Sequence, residues 1–96
     1  MADDDLTTLR LRIEGAVQAI GYRNYAVTEA RKLKLDGWIR NRSDGTVEAL
    51  ASGPTSAVEA FVAACMRGPP GARVTNVDLQ KADPPGEPGF RIRATV

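Results

Sequence analysis

An arginine closes a short segment that contains two glycines, and this arrangement suits the binding of a small anion. The segment runs from Gly15 to Arg23, with Gly21 near its end. Alternating apolar residues before it predict a strand, and apolar residues three or four apart after it predict a helix. The first N–H groups of a helix lack partners within the helix and favour anions. The planar guanidinium of Arg23 suits two phosphoryl oxygens at once, so one hypothesis is a phosphoryl-binding loop.

The same pattern has a purely structural interpretation, which the residues by themselves leave open. Glycine-containing turns between a strand and a helix are common, and the spacing from Gly15 to Gly21 matches neither the P-loop nor the dinucleotide-binding fingerprint. Residues 15–42 hold six cations and two anions, whereas the rest of the chain holds seven cations and ten anions. A local positive field would attract an anion, but solvated basic faces on a helix and a strand explain the same charges.

The residue types that are absent narrow the possible chemistry. The sequence contains no histidine, which removes histidine-activated nucleophiles, phosphohistidine intermediates and histidine-ligated metals. The single Cys65 removes an internal disulfide and any metal site built on cysteine pairs. We therefore expect no metal and no other cofactor.

The overall charge and hydropathy give no reason to expect nucleic acid or a membrane as a partner. A net charge of +1 gives no reason to expect nucleic acid, and no apolar run reaches the roughly 20 residues that a membrane helix needs. The acidic start, residues 1–5, does not resemble a secretory signal, and one cysteine suits a reducing compartment. We therefore predict a cytoplasmic monomer that binds neither nucleic acid nor membrane.

The chain of 96 residues fits one domain, 1–96, in which residues 1–6 form a flexible tail. Periodicity and turn signals divide the remainder into strands and helices. The predicted strands are 9–14, 38–42, 46–52, 73–81 and 90–96, and the predicted helices are 22–34 and 54–67. In the fourth strand Val74 and Val77 would lie on opposite faces of a regular strand. This predicts a bulge or a half-buried edge strand.

The order β-α-β-β-α-β-β is typical of the α+β class, in the ferredoxin-like α/β sandwich. We expect an antiparallel sheet of four or five strands, with two helices on one face and the short C-terminal strand as the additional one. Because this architecture hosts enzymes, regulatory modules and RNA binders, the fold alone does not indicate a function.

The anion-binding segment resembles the signature of the acylphosphatase family. The matching residues are Gly15, Val17, Gln18, Gly21, Tyr22 and Arg23. The run from Gly37 to Asn41 is similar to the second motif of the family, and the resemblance continues at 44–49, 53–54 and 67–74. It covers nearly the whole chain from residue 9 to Ile92, in the right order.

This resemblance implies the hydrolysis of small acyl phosphates, which are mixed anhydrides of a carboxylic acid and phosphoric acid, without a metal and without a phosphoenzyme. It implies that the loop amides and Arg23 bind the phosphoryl group and that Asn41 positions the attacking water. The implied substrate-binding residues are Gly15, Ala16, Val17, Gln18, Ala19, Ile20, Gly21 and Tyr22. Asn41 is neutral, so it can orient water but cannot take its proton at neutral pH. We expect Arg23 and Asn41 to meet at one shallow pocket.

Two positions depart from the family pattern, and Ala19 is the more serious departure because glycine is usual there. Ala16 also differs, at a more variable position. If position 19 requires a positive φ, alanine costs roughly 1 kcal/mol, and one misplaced amide donor lowers the rate by about 10²–10³. This leaves as alternatives a non-catalytic module that binds an anion or an acyl phosphate with weakened turnover, and a purely structural domain. Gln18 and Thr46 are further candidates for contact with the site.

Overall fold

In the computed structural model of the chain, residues 5–96 are described, and they form the predicted order of strands and helices. The elements are β1 (Leu6–Ala16), α1 (Tyr22–Lys32), β2 (Asp36–Asn41), β3 (Val47–Pro54), α2 (Thr55–Arg67), β4 (Arg73–Lys81) and β5 (Phe90–Ile92). Two boundaries differ from the prediction by more than two residues, and the other boundaries agree with it or differ by one or two. Leu6 opens β1 instead of lying in a tail, and β5 ends at Ile92 instead of residue 96. The remainder of the predicted tail, residues 1–4, lies outside the described residues.

One sheet holds the described strands in the order β4-β1-β3-β2-β5. The first four strands in the chain pair antiparallel, as predicted. The sheet is nevertheless mixed, because β5 pairs parallel with β2, with Gly37 beside Phe90 and Ile39 beside Ile92. The physical reason is the connection over 82–89. It crosses from β4 at one edge to β5 at the other, so the chain re-enters the sheet in the direction of β2.

Both helices cover one face of the sheet, and the core lies between the two layers. Leu11 and Ile13 of β1 are fully buried, whereas the alternate residues Arg10 and Arg12 are exposed, as the alternation predicts. Phe61 of α2 is also fully buried and packs in the same core. A charged open face and an apolar covered face therefore fix the register of β1.

A bulge shifts the pairing of β1 with β4 near the end of β1. Glu14 pairs with Asn76 but Gly15 pairs with Val74, so Thr75 is the extra residue on β4. The bulge predicted in this strand is thereby confirmed. Gly15 has a φ of 127°, and a Cβ there would overlap the carbonyl oxygen of Arg73. The bulge turns the chain out of the sheet and into the loop before α1.

Candidate active site

Three strand ends meet at one end of the sheet. Strands β1, β2 and β5 run in the same direction, because β1 and β2 are both antiparallel to β3 and β5 is parallel to β2. Their last residues, Ala16, Asn41 and Ile92, therefore lie at the same end, and α1 also starts there. A cavity of about 180 Å³ opens at this end. Its lining residues are Val17, Ala19, Gly21, Tyr22, Arg23, Asn24, Asn41 and Ile92.

Arg23 and Asn41, the two predicted catalytic residues, line the same cavity, together with four of the eight predicted substrate-binding residues. The four that do not line it are Gly15, Ala16, Gln18 and Ile20. Sequence reasoning missed Asn24 and Ile92. Asn24 directly follows Arg23 in the first turn of the helix, which was an available signal. Ile92 carries no local signal, because its place depends on pairing between distant strands.

The loop over residues 17–21 adopts two left-handed conformations. Gly21, the N-cap of α1, has φ 77° and ψ 16°, and Ala19 has φ 61°. Glycine adopts such angles freely, whereas alanine pays about 1 kcal/mol. Position 19 therefore has the geometry that the usual glycine would favour, and nothing in the described residues favours the hypothesis of a misdirected amide.

The backbone N–H groups of this loop are available to a ligand. Residues 17–21 donate no backbone hydrogen bond to any other described residue. The helix that follows has no acidic residue in its first turn and no side-chain cap. Unpaired N–H groups at the start of a helix form a concave site for an anion.

Arg23 is half-buried and makes no hydrogen bond or ion pair with another described residue. Its situation differs from that of Arg40 and Arg42, which each donate to Oε1 of Glu48 at 2.9 Å. A cation in the first turn opposes the helix dipole. An unpaired guanidinium held against that dipole is consistent with an anion as its partner.

Asn41 ends β2 and has an unsatisfied atom. Its Oδ1 is buried and has no hydrogen-bond partner among the described residues. A buried acceptor left without a donor costs about 1–3 kcal/mol. A bound water that donates to Oδ1 would remove this cost, which suits a residue that orients water.

Gln18 and Thr46 serve the loop and the hairpin instead of lining the cavity. The Nε2 of Gln18 donates to the carbonyl oxygens of Arg42 and Thr46, each at 2.8 Å. Thr46 donates from its Oγ1 and its backbone N–H to Oδ1 of Asp44, at 2.6 and 2.9 Å. Hydrogen bonds from the Thr46 side chain and backbone, followed by the nearby guanidinium groups, lower the pKa of Asp44.

The side chain of Tyr22 points into the core, so only its backbone is available to the cavity. Its hydroxyl donates to the carbonyl oxygen of Cys65 at 2.6 Å and joins α1 to α2. Burial raises the pKa of Tyr22, and burial also raises the pKa of Cys65 to about 12. Both groups stay neutral near pH 7, so neither supplies an ionised nucleophile.

A larger hollow of about 360 Å³ lies on the open face of the sheet, but its charges are already paired. Arg12 donates to Asp44 at 2.8 Å, and Arg10 and Arg42 lie 3.6 and 2.9 Å from carboxylate oxygens of Glu48. Burial alone would raise the pKa of Glu48, but hydrogen bonds from Arg40 and Arg42 hold it below its usual value. The smaller cavity, with its unpaired cation, is therefore the better candidate for binding an anion.

Comparison with known proteins indicates the family of the chain. The family model described as acylphosphatase matches residues 9–92. An acylphosphatase of Acidiphilium cryptum is 54% identical over 85 residues, covering 88% of this chain and 93% of its own. An acylphosphatase of Rhodospirillum rubrum is 51% identical over 95% of this chain and 100% of its own.

Solved structures show the same relationship. The crystal structure of an acylphosphatase from Bacillus subtilis superimposes with a TM-score of 0.87 at 39% identity, covering 93% of this chain and 99% of that one. The acylphosphatase of Coxiella burnetii gives a TM-score of 0.88 at 30% identity, covering 93% of this chain and 94% of that one. Since family model, relatives and fold agree over nearly the whole chain, the chain belongs to the acylphosphatase family.

Proposed function

We propose that this chain hydrolyses small acyl phosphates to a carboxylate and inorganic phosphate, without a metal and by in-line attack of water. One observation carries the proposal: Arg23 and Asn41 line the same cavity of about 180 Å³, and the guanidinium of Arg23 and the buried Oδ1 of Asn41 both lack a partner among the described residues. One residue can bind the phosphoryl group, and the other can hold the nucleophile.

The reaction needs positioning more than acid–base chemistry. The phosphoryl oxygens accept hydrogen bonds from the loop N–H groups and from Arg23, which stabilise the charge on these oxygens in the transition state. A water that donates to Oδ1 of Asn41 attacks phosphorus. The bond from phosphorus to the acyl oxygen breaks, and its electron pair leaves with the carboxylate. The proton of the water passes to the released phosphate or to solvent, because Asn41 cannot accept it.

The assay measures hydrolysis of benzoyl phosphate, in the presence of a chelator, by wild type and three variants. We expect kcat/KM to fall about 10³-fold in Arg23→Ala and about 10²-fold in Asn41→Ala, since each removes a stabilising group from the transition state. Lys34→Ala is the control, because Lys34 is a cation of α1's C-terminal end that does not line the cavity. Activity that requires added metal, or that survives both substitutions, would refute the mechanism.

The remaining sequence-based expectations belong to this proposal as well. We propose a cytoplasmic monomer whose partner is a small acyl phosphate or phosphate and which binds no nucleic acid. Within residues 5–96, no helix is long and apolar enough to span a membrane. Size-exclusion chromatography with light scattering tests the monomer directly, and a dimer at micromolar concentration would contradict it.

A further inference from the structure

Gln18 connects the loop before α1 to the hairpin that follows Asn41. Its Nε2 donates to the carbonyl oxygens of Arg42 and Thr46, each at 2.8 Å. Arg42 directly follows β2 and Thr46 directly precedes β3, so one amide group joins both arms of the hairpin at its base. We propose that Gln18 is a positioning residue, whose side chain fixes Asn41 relative to the phosphoryl-binding loop and does not itself touch the substrate.

The hairpin does not need Gln18 in order to close. The carbonyl of Thr46 already accepts from the N–H of Arg42 at 2.9 Å, and the carbonyl of Arg42 accepts from Gly45 at 3.1 Å. Gln18 uses the remaining acceptor capacity of these two oxygens. The turn therefore has its own hydrogen bonds, and what Gln18 adds is a link between the hairpin and the loop.

This link matters for the side chain of Asn41, because its main-chain carbonyl accepts from the N–H of Val96 at 3.3 Å whereas its Oδ1 has no partner among the described residues. Asn41 lies directly before Arg42. The position of its Oδ1 therefore follows the position of the strand end. A displacement of about 1 Å between the reacting groups can lower the rate about 10²-fold.

The inference rests on the proposed function and predicts a separation between binding and turnover. Inorganic phosphate needs only the loop N–H groups and Arg23, whereas hydrolysis also needs Asn41 at the right distance from them. Loss of the Gln18 link should therefore lower kcat while leaving the affinity for phosphate nearly unchanged. A residue that binds substrate directly would change both.

The first experiment compares Gln18→Met, which keeps the length but removes the donor, with Gln18→Lys, which restores a donor of similar reach. We expect kcat for benzoyl phosphate to fall about 10–30-fold in Gln18→Met, with the Ki of inorganic phosphate within about threefold of wild type. Gln18→Lys should recover part of kcat. Tyr25→Phe is the matched control, because it removes a half-buried hydrogen bond to the carbonyl of Ala64 away from the cavity.

A double-mutant cycle tests whether Gln18 acts through Asn41. We expect Gln18→Met to cause no further loss of kcat in the Asn41→Ala background, since the residue that it positions is then absent. Losses that multiply would overturn the inference. A rise of the phosphate Ki in proportion to the loss of kcat would also overturn it, because Gln18 would then belong to the phosphoryl-binding surface.

A spectroscopic measurement tests the inference independently of the catalytic activity. The side-chain amide resonances of Asn41 in ¹⁵N-labelled protein should shift or broaden in Gln18→Met and stay in place in Tyr25→Phe. Unchanged Asn41 resonances in Gln18→Met would overturn the inference whatever the activity. A wild type that binds phosphate but does not turn over an acyl phosphate would overturn the proposed function alone.

Discussion

The two junctions between a strand and a helix both lead into a helix without a side-chain cap, but they differ in what the N–H groups there contact. Neither α1 nor α2 has a side-chain cap or an acidic residue in its first turn. At the second junction, β3 passes directly into α2. There the N–H of Thr55 donates to the carbonyl of Asp5 at 3.1 Å, and its hydroxyl lies 2.6 Å from that of Thr7. At the first junction, residues 17–21 separate β1 from α1, and their N–H groups have no backbone partner among the described residues.

The difference shows at which junction hydrogen-bond donors are available to a ligand. The start of α2 lies against the beginning of β1, where the N–H of its first residue, Thr55, already has a partner. The start of α1 keeps its donors, and Arg23 beside them also lacks a partner among the described residues. Groups left unsatisfied cost stability but are free to meet a ligand. In the proposed mechanism the first junction therefore serves binding at the expense of stability, whereas the contacts of Thr55 at the second junction serve stability.

The largest expected effect comes from adding one methyl group to the glycine that precedes each junction. Gly15→Ala should lower the free energy of unfolding by about 3 kcal/mol or more, because the new Cβ would overlap the backbone oxygen of Arg73. Gly53→Ala should cost about 1 kcal/mol, because its Cβ meets only the side-chain Cδ2 of Leu35, at 2.7 Å, which can move. Urea unfolding measures both, and equal losses would contradict the contrast.

The buried thiol of Cys65, whose backbone carbonyl accepts from Tyr22, should make the stability of the protein fall at alkaline pH. In the folded state burial raises the pKa of Cys65 from 9.0 to about 12, so the thiol stays neutral where the unfolded chain loses its proton. The stabilising contribution is complete below pH 9 and is lost as the pH rises from 9 towards 12. We expect the free energy of unfolding to fall by about 1.4 kcal/mol per pH unit in the lower part of this range.

The control for this pH dependence is Cys65→Ala, which removes the thiol but keeps the carbonyl that Tyr22 contacts. Denaturant unfolding between pH 8 and 10 should show a shallower slope in this variant than in wild type. Equal slopes would mean that the thiol does not contribute.

The positive φ of Ala19 should lower the free energy of unfolding by a smaller amount, and this effect can be measured separately. Ala19→Gly should raise the free energy of unfolding by about 1 kcal/mol, because glycine adopts a φ of 61° without strain. Lys34→Gly is the matched control, since Lys34 has a φ of 58° at the other end of α1. Both variants should gain stability, while kcat/KM should stay within about twofold of wild type in each. A large gain in rate for Ala19→Gly alone would show that alanine distorts the loop.

The smallest effect concerns the stability of the protein without Arg23. Arg23→Ala should raise the free energy of unfolding by about 0.3–1 kcal/mol, since it removes a cation that opposes the dipole of α1 and breaks no ion pair described here. Added phosphate should raise the melting temperature of wild type but not of this variant. Loss of stability in Arg23→Ala would indicate a protein partner for the guanidinium.

Local patterns predicted most of the fold, and they failed where distant segments meet. The alternation around Leu11 correctly indicated a strand with one face in the core, and the different faces of Val74 and Val77 correctly indicated a bulge. The parallel pairing of β5 with β2 was not predictable, because three residues carry no periodicity that specifies a partner or a direction. The sheet was therefore expected to be antiparallel throughout.

For the candidate site, the residue types indicated Arg23 and the family resemblance added Asn41, but neither indicated which neighbouring side chains line the cavity and which support the loop. Gln18 lies between two lining residues of the loop, and only the hydrogen bonds to the hairpin reveal that its side chain turns away from the cavity. The positive φ of Ala19 could not be predicted either, because the type of a residue does not determine which backbone conformation it adopts.

The order of the strands has a consequence for the time course of folding. The cavity takes residues from 17 to 92, and β1 finds both of its neighbours only when β3 and β4 are in place. Contacts between residues far apart in sequence form late, because the entropy of closing long loops must be overcome first. A chain that has folded β1, α1 and β2 would hold Arg23 and Asn41 without a finished cavity. The return of catalytic activity during refolding would therefore report completion of the whole sheet, later than the return of helical structure.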